Sequence, residues 1–260
     1  MNDRSRAATL MLVLALGFLL GPFVVIFVAG FSADETLRFP PQAYSWRWIG
    51  HVFTVESFQR SFVTSLVVGL GSTALALLLG VPVAYALSRG TLRGAEAVRT
   101  LLTLPLVVPG IIVGLALLNH GVLAWGLPVT PTLLIGHTTL LVPYAVRVVS
   151  SSLANLRSDI DEAAVTLGAT RAQAFFKVVL PNIRGGVAAA FVLAFITSFN
   201  QVPVSLFLTG PGVSTLPIEM MAYMETSYDP SIAALSTVLV GFTIALVAAT
   251  ERLLGISRYV

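Results

Sequence analysis

The chain has no cysteine and very little charge. Of its 260 residues, 10% are Asp, Glu, Lys or Arg and 56% are hydrophobic. A soluble domain carries roughly a quarter charged residues, so this composition cannot cover a water-facing surface. Without cysteine there is neither a disulfide framework nor a thiolate metal site, and His51, His120 and His137 are too far apart for zinc-type spacing. The composition predicts a membrane protein.

Residues for phosphate binding and for covalent chemistry are also missing. The only lysine, Lys177, follows Phe176 and precedes Val178, so the chain has no Gly-x-x-x-x-Gly-Lys-Ser/Thr loop to cradle a nucleotide. The apolar runs contain no Ser/His/Asp set and no paired carboxylates. We therefore expect no catalytic residue, no metal site and no cofactor in this chain, which is predicted not to be an enzyme.

Long uncharged runs dominate what is present. A helix needs about twenty apolar residues to cross a bilayer. The runs predict an all-α membrane protein with one transmembrane domain over residues 1–260 and spans at about 8–31, 61–88, 100–122, 132–150, 185–208 and 231–251. A cleaved signal peptide is the alternative for the first run, but a signal core is about 7–15 residues long, and the greater length here favours an anchored helix.

The loop charges predict the orientation. If the amino terminus is cytoplasmic, all but three of the fifteen basic residues lie on the cytoplasmic side, including Arg4, Arg6, Arg93 and Arg258. The positive-inside rule then places both termini in the cytoplasm of a multi-pass protein surrounded by lipid. The net charge of +3 is scattered along the chain and does not indicate a nucleic-acid partner.

The first predicted outer segment, residues 34–60, is rich in aromatic side chains. They are Phe39, Tyr44, Trp46, Trp48 and Phe53. Such residues form belts at membrane–water interfaces, and they also suit a docking surface for an external partner. The sequence leaves both interpretations open.

The loop at residues 156–181 carries the clearest local signals. Ser158 is a predicted N-cap, and three carboxylates follow it in the first turn, where the helix dipole favours them. Gly168 suits a positive φ after the helix end. Thr170 and Gln173 have capping-box spacing, and Pro181 is predicted to follow the end of the second helix. The pattern predicts two short helices joined at a glycine.

Four apolar side chains of this loop have two possible roles. They are Leu167, Phe175, Phe176 and Val179. A short helix with such anchors can insert into a groove on a partner. Alternatively, the two helices cover the protein's own membrane-proximal end.

The spacing in this loop resembles a family signature. Glu162-Ala163-Ala164 is followed by Gly168 and then by Val178-Val179-Leu180-Pro181. This resembles the EAA loop of permease subunits in bacterial ABC importers, with Val178 in place of isoleucine. The resemblance implies a type I ABC importer permease fold whose coupling loop sits in a cleft of an ATPase subunit. The implied coupling residues are Glu162, Ala163, Ala164, Gly168, Leu180 and Pro181.

Three other segments resemble the spermidine/putrescine branch of that family, which includes opine and aminoethylphosphonate permeases. They are residues 39–48, 216–220 and 228–236. The resemblance implies an ATP-driven importer of a small polar organic solute, and a polyamine is the first candidate for that solute. Its implied partners are an ATPase dimer that holds ATP and Mg²⁺, a second homologous permease and an extracytoplasmic substrate-binding protein.

Polar residues at membrane depth are costly and mark candidate solute contacts. The fifth predicted span contains Ser198, Asn200, Gln201 and Ser205. Hydrogen bonding between helices is an equally good explanation. Polyamine permeases of the resembling branch tend to carry acidic residues near Asn200 and Gln201, whereas two amides offer only dipoles. An amino-acid-like or phosphonate-like zwitterion is therefore the next candidate solute.

Other functional classes remain as alternatives. A neighbouring ABC branch would carry ferric iron, thiamine or sulfate. A secondary transporter commonly places ionisable residues at mid-membrane, and the runs contain no Asp, Glu, Lys or Arg at that depth, so a carrier or passive channel is disfavoured. A membrane-bound enzyme is opposed by the missing reactive groups.

Overall fold

The computed structural model describes residues 3–90 and 94–254, and these contain helices and two isolated β-bridges but no β-strand. The longer helices are α1 (Asp3–Gly30), α3 (Glu56–Ser88), α4 (Ala95–Val107), α6 (Val129–Ala154), α10 (Arg184–Phe199), α11 (Leu216–Thr226) and α12 (Ser231–Leu254). The shorter ones are α2 (Arg47–His51), α5 (Gly110–Ala116), α7 (Asp159–Thr166), α8 (Arg171–Ala174) and α9 (Leu180–Asn182). The predicted all-α class is confirmed. Arg93 and Arg258, used to predict the orientation, lie outside the described residues.

Four of the described helices, α1, α3, α6 and α12, are long and apolar enough to cross a membrane. Two bent pairs raise the number to six if each pair forms one span. In the first pair α4 meets the helix 110–124 at 89°, and in the second Arg171–Asn182 meets α10 at 72°. The predicted count of six is therefore reached only by including broken spans.

The third predicted span, 100–122, is not one straight helix. Helix α4 ends at Val107, and Val108 has an extended backbone with ψ of 125°. A residue before proline is pushed out of the α region, so Pro109 explains the break. Helix α5 starts at Gly110 and continues as a π-helical segment, Leu117–Ala124.

The fifth predicted span, 185–208, is a continuous helix only over its first part. Helix α10 has 16 residues and stops at Phe199, so it is about 24 Å long, shorter than the roughly 30 Å hydrocarbon core of a bilayer. One 3₁₀ turn, Ser205–Phe207, follows an irregular stretch. Pro203 lacks an amide hydrogen and disfavours helical backbone at Val202, which explains the early end.

By backbone contacts the chain divides into two compact units, Met1–Gln59 with Glu219–Ala245 and Arg60–Ile218 with Leu246–Val260. In the first unit, Trp48 is buried and its Nε1 donates to the carbonyl oxygen of Asp34 at 2.9 Å. The other predicted outer aromatics, Phe39, Tyr44, Trp46 and Phe53, are exposed. Trp48 is thus a packing residue, and the other four remain available to lipid or a partner.

In the second unit, one apolar cluster joins α3 and α6 to the loop at 156–181 and to α10. Its fully buried members include Ala84 on α3, Val149 on α6 and Val179 in the loop. Between membrane-spanning helices such side chains stabilise the structure by van der Waals packing rather than by leaving water. The loop is therefore packed onto the spans through its inner side.

Candidate functional site

The loop at 156–181 has the predicted two-helix form. Gly168 has φ of +94°, which confirms the predicted positive φ, and a side chain at this position would be strained. The amides of Leu167 and Ala169 donate to the carbonyl oxygens of Ala163 and Ala164 at 3.0 and 3.1 Å. These bonds close the last turn of α7 and leave the glycine as the bend.

The start of the second helix is also as predicted. The amide of Gln173 donates to Thr170 Oγ1 at 3.2 Å, and the amide of Thr170 donates to Gln173 Oε1 at 2.9 Å. This is a complete capping box, so two amides that the helix cannot satisfy have partners. The sequence spacing alone was sufficient to predict it.

Two other local predictions are not fully met. Ser158 does occupy the N-cap position of α7, but it makes no side-chain capping bond, and its helical φ of −70° and ψ of −22° differ from the extended backbone of an N-cap. Pro181 does not follow the end of the helix. A π-helical turn, Phe175–Val179, leads directly into α9, which contains Pro181. The chain bends at Ile183 instead.

The loop has distinct outer and inner sides. Glu162 is exposed on the outer side, together with Leu167 and Phe176, which are 89% and 64% exposed. Val179 is fully buried on the inner side, and Phe175 packs against the core there. Of the four predicted apolar anchors, Leu167 and Phe176 are therefore available to a partner, and Phe175 and Val179 hold the loop to its own spans.

A buried ion pair connects the inner side to the end of α3. Arg89 Nε lies 3.1 Å from Asp161 Oδ2, and the two side chains are 11% and 10% exposed. Tyr85 donates its hydroxyl to the same oxygen at 3.1 Å. Sequence reasoning missed this contact because it treated Arg89 as an orientation charge and Asp161 as a first-turn charge. Arginine at a span end and an inward carboxylate in the loop were the available signals.

The broken fifth span has a polar centre built around His137. This side chain is 1% exposed, with Nδ1 2.8 Å from Ser198 Oγ and Nε2 2.9 Å from Ser205 Oγ. Ser72 Oγ lies 3.0 Å from Ser198 Oγ and extends the network to α3. In a neutral imidazole one ring nitrogen donates and the other accepts, so both contacts can be hydrogen bonds.

The network distinguishes among the four candidate solute residues. Ser198 and Ser205 are buried and are bonded to His137, which fits the explanation by interhelical hydrogen bonds. Asn200 is exposed, and its Nδ2 donates to the carbonyl oxygen of Ile196 at 3.0 Å. Gln201 is partly exposed beside it. Of these four residues, only Asn200 and Gln201 reach the surface of this subunit, at the point where α10 unwinds.

Glycines on α5 and α6 allow the irregular segment to pack closely. A Cβ on Gly114 would lie 2.5 Å from the carbonyl oxygen of Val204, and a Cβ on Gly136 would lie 2.9 Å from Val204 Cγ1. Real Cβ contacts are not this short, so the segment occupies space that only glycine leaves. Val204 itself is fully buried.

Residues 72–256 match the family model of the binding-protein-dependent transport system inner membrane component. The chain belongs to this family. The putrescine transport system permease protein PotI of Escherichia coli K12 is 31% identical over 245 residues, which cover 92% of this chain and 87% of PotI. The spermidine/putrescine transport system permease protein PotC of Haemophilus influenzae is 27% identical over 230 residues, covering 88% of this chain and 89% of PotC.

Solved transporters share the fold at low sequence identity. A bacterial ABC transporter that imports the polysaccharide alginate matches with a TM-score of 0.69 at 17% identity, covering 97% of this chain and 98% of that chain. The inward-facing MetNI methionine ABC transporter matches with a TM-score of 0.65 at 19% identity, covering 78% and 96%. The predicted type I importer permease fold is confirmed.

Membership of this inner membrane component family confirms two functional predictions. The chain is a multi-pass inner membrane protein, and it is a permease subunit of an ABC importer rather than an enzyme. The secondary transporter, channel and membrane-enzyme alternatives are no longer needed.

Proposed function

We propose that this permease forms half of the pore of an ATP-driven importer for a small polar organic solute, with putrescine or spermidine first. It would pair with a second homologous permease, receive solute from an extracytoplasmic binding protein, and be driven by an ATPase dimer that holds ATP and Mg²⁺. The observation that carries the proposal is the outward face of the coupling loop, where Glu162, Leu167 and Phe176 are exposed while the inner side is packed onto the spans.

The composition of that face fits docking into a partner. Leu167 is 89% exposed at the end of α7, directly before the bend at Gly168. A large apolar side chain beside a carboxylate on a short helix suits insertion into a groove with an apolar floor and a polar rim. Ala163, also exposed, lets another backbone approach closely. Leu180 and Pro181 connect this helix pair to α10 and would pass its movement to the fifth span.

The choice of solute rests on relatives and on the two amides. PotI and PotC are named for putrescine and spermidine. Asn200 and Gln201 lie where α10 has stopped, and unwound backbone beside a pore can offer carbonyl oxygens to a cation. Amide and backbone oxygens together can accept hydrogen bonds from a primary ammonium without a carboxylate. A zwitterion such as 2-aminoethylphosphonate is the second candidate.

The test uses the purified complex in proteoliposomes, assembled with the ATPase, the second permease and the binding protein of the same transport system. We expect putrescine and spermidine to stimulate ATP hydrolysis and 2-aminoethylphosphonate to have less effect. Stimulation by the phosphonate alone would reject the polyamine. Failure of the ATPase to co-purify with the permease would reject the proposed motor.

We also propose that both termini and the coupling loop are cytoplasmic. The cysteine-free chain allows a direct test, because a single introduced thiol is the only labelling site. Ala172→Cys in the loop and Ala43→Cys in the first outer segment replace exposed alanines. A membrane-impermeant maleimide applied from the outside should label only Ala43→Cys, and the reverse pattern would overturn the orientation.

A further inference from the structure

We propose that Arg89 and Asp161 are positioning residues that transmit movement of the coupling loop to α3. The inference rests on the proposed function of that loop as the contact with an ATPase. The exposed face would receive the movement, and the buried Arg89–Asp161 pair would carry it into the second span. Neither residue is placed in contact with the solute or the ATPase.

The pair joins two elements that are far apart in sequence. Arg89 directly follows the last residue of α3, and Asp161 lies in the first turn of α7. The contact between Arg89 Nε and Asp161 Oδ2, at 3.1 Å, is largely shielded from solvent. Arg89 Nε makes no hydrogen bond in this geometry, so the contact is an attraction between charges. It still ties α3 to one particular residue of α7, whereas the surrounding apolar packing permits sliding.

Tyr85 extends the connection to the second half of the loop. Its hydroxyl donates to Asp161, and its ring lies 5.0 Å from that of Phe175. The last turn of α3 therefore holds both helices of the loop, one through a hydrogen bond and the other through an aromatic contact. A displacement of the loop relative to α3 must break or move these contacts.

Stability alone does not account for the pair. Replacing a buried ion pair by packed apolar residues is often neutral or stabilising, because both charges lose their hydration. Here Arg89 Nε, Arg89 Nη2 and Asp161 Oδ1 are buried without a hydrogen-bond partner. A bidentate arrangement of Nε and Nη2 on the two carboxylate oxygens would satisfy all three atoms, and a movement of α7 would allow the pair to reach it.

A cavity beside the pair provides room for that movement. Its volume is about 560 Å³, and its lining includes Ser88, Arg89, Asp161, Glu162 and Arg171. Glu162, the proposed ATPase contact, and Asp161, its neighbour in sequence, thus border the same space. The external and internal contacts of α7 are adjacent residues.

The same loop supplies a matched control. Arg157 and Asp159 also form an Arg–Asp pair, but their side chains are 81% and 57% exposed and they are two residues apart. This pair connects no second element. Exposed pairs contribute little, so its removal should not alter coupling.

The experiment is a double-mutant cycle on the complete complex in proteoliposomes. The variants are Arg89→Gln, Asp161→Asn and their combination, with Arg157→Gln, Asp159→Asn and their combination as controls. For each we would measure the amount of ATPase bound, the basal ATP hydrolysis, and the hydrolysis stimulated by putrescine, spermidine and 2-aminoethylphosphonate with the binding protein. Tyr85→Phe removes the hydroxyl donor and leaves the ion pair.

We expect each single variant of the buried pair to keep its ATPase and its basal hydrolysis but to lose stimulation about tenfold, corresponding to a coupling energy of the size found for contacting residues. The combined variant should lose no more than either single one. Tyr85→Phe should lose about threefold in stimulated hydrolysis, because it removes one of the contacts that couple α3 to the loop. The exposed control pair should stay within about twofold of wild type.

Additive losses in the combined variant would overturn the link, as would equal losses in the control pair. Loss of bound ATPase would also overturn it and would assign the pair to the docking surface. Failure of the proposed function looks different, because the wild-type permease itself would then fail to retain an ATPase or would show no stimulation.

Discussion

The coupling loop and the broken fifth span are both interrupted helices, but they satisfy their polar groups in opposite ways. In the loop, a capping box and a positive-φ glycine end the helices locally, and Glu162 is left exposed. In the span, Ser198 and Ser205 face inward to His137, and glycines on neighbouring helices receive the irregular backbone. Irregular structure near a membrane is tolerated only where backbone and side chains find such partners.

The difference separates the two tasks of a permease subunit. A surface that binds a partner needs exposed apolar and charged groups on a rigid frame, which the loop provides. A segment near the solute path needs a fixed shape despite missing helical hydrogen bonds, which the His137 network provides. Changes to the loop should therefore affect coupling and leave stability intact, whereas changes to the network should affect stability first.

The largest effect is expected at the bend of the loop. Gly168→Pro cannot adopt φ of +94°, because proline is held near −65°. We expect solute-stimulated ATP hydrolysis to fall to the basal level while the protein still inserts in the membrane. Gly168→Asn, which tolerates a left-handed backbone, should stay close to wild type. Normal stimulation in the proline variant would show that the bend is dispensable.

Glu162→Ala tests the outer face of the same loop. The side chain is exposed, so its loss should not lower the thermal stability of the permease in detergent. We expect a strong loss of stimulated hydrolysis because the proposed contact with the ATPase is gone. Asp159→Asn, also exposed on α7, is the control. A parallel fall in stability would argue that the loop merely caps its own subunit.

Overpacking the irregular segment should destabilise the protein. Gly114→Ala places a Cβ 2.5 Å from the carbonyl oxygen of Val204, so backbone must shift, at a cost of about 3 kcal/mol in the free energy of unfolding. Gly241→Ala on α12 is the control, since a Cβ there meets nothing within 4 Å. Thermal unfolding in detergent measures both, and equal stability would contradict the close packing.

Removing His137, the centre of the hydrogen-bond network, should lower the free energy of unfolding somewhat less than Gly114→Ala does. His137→Leu leaves the buried Ser205 hydroxyl without its imidazole partner, and an unsatisfied buried group costs about 2 kcal/mol. His120→Leu is a suitable control because the His120 side chain is exposed and, among the contacts described, bonds only to the carbonyl oxygen of Ala116. If the two variants unfold alike, the network contributes no stability.

The smallest expected effect concerns the solute. Asn200→Asp adds a carboxylate where resembling polyamine permeases tend to carry acids, and an exposed carboxylate attracts an ammonium group weakly. We expect the putrescine concentration for half-maximal stimulation to fall by about threefold. Asn155→Asp, the same substitution at another exposed asparagine, serves as the control. A rise in that concentration would move the solute path away from Asn200.

Local signals in the sequence were sufficient for part of the site. Thr170 and Gln173 are three residues apart and exchange two capping hydrogen bonds. The positive φ of Gly168 depends on the local bend and not on a distant residue. Sequence spacing alone therefore predicted both features. The predicted capping bond of Ser158 is absent because the backbone of this residue is itself helical, which a short-range pattern does not reveal. The predicted helix end before Pro181 is wrong because a π-helical turn precedes the proline and the helix continues past it to Asn182.

Long-range contacts could not be predicted in the same way. Arg89 and Asp161 are separated by a complete pair of spans, and either charge has a sufficient local explanation. His137, Ser198 and Ser205 lie on different elements, and their neighbours in sequence do not indicate which side chains meet. Pairing such groups requires knowing which helix faces are in contact.

By itself, the sequence determined that this is an all-α membrane protein with up to six spans and a glycine-bent coupling loop, because hydrophobic length and capping are properties of neighbouring residues. Only the tertiary structure decided where the third and fifth spans break, which serines serve His137, and that Asp161 turns inward while Glu162 turns outward. The physical reason is that burial and hydrogen-bond satisfaction depend on what a helix packs against.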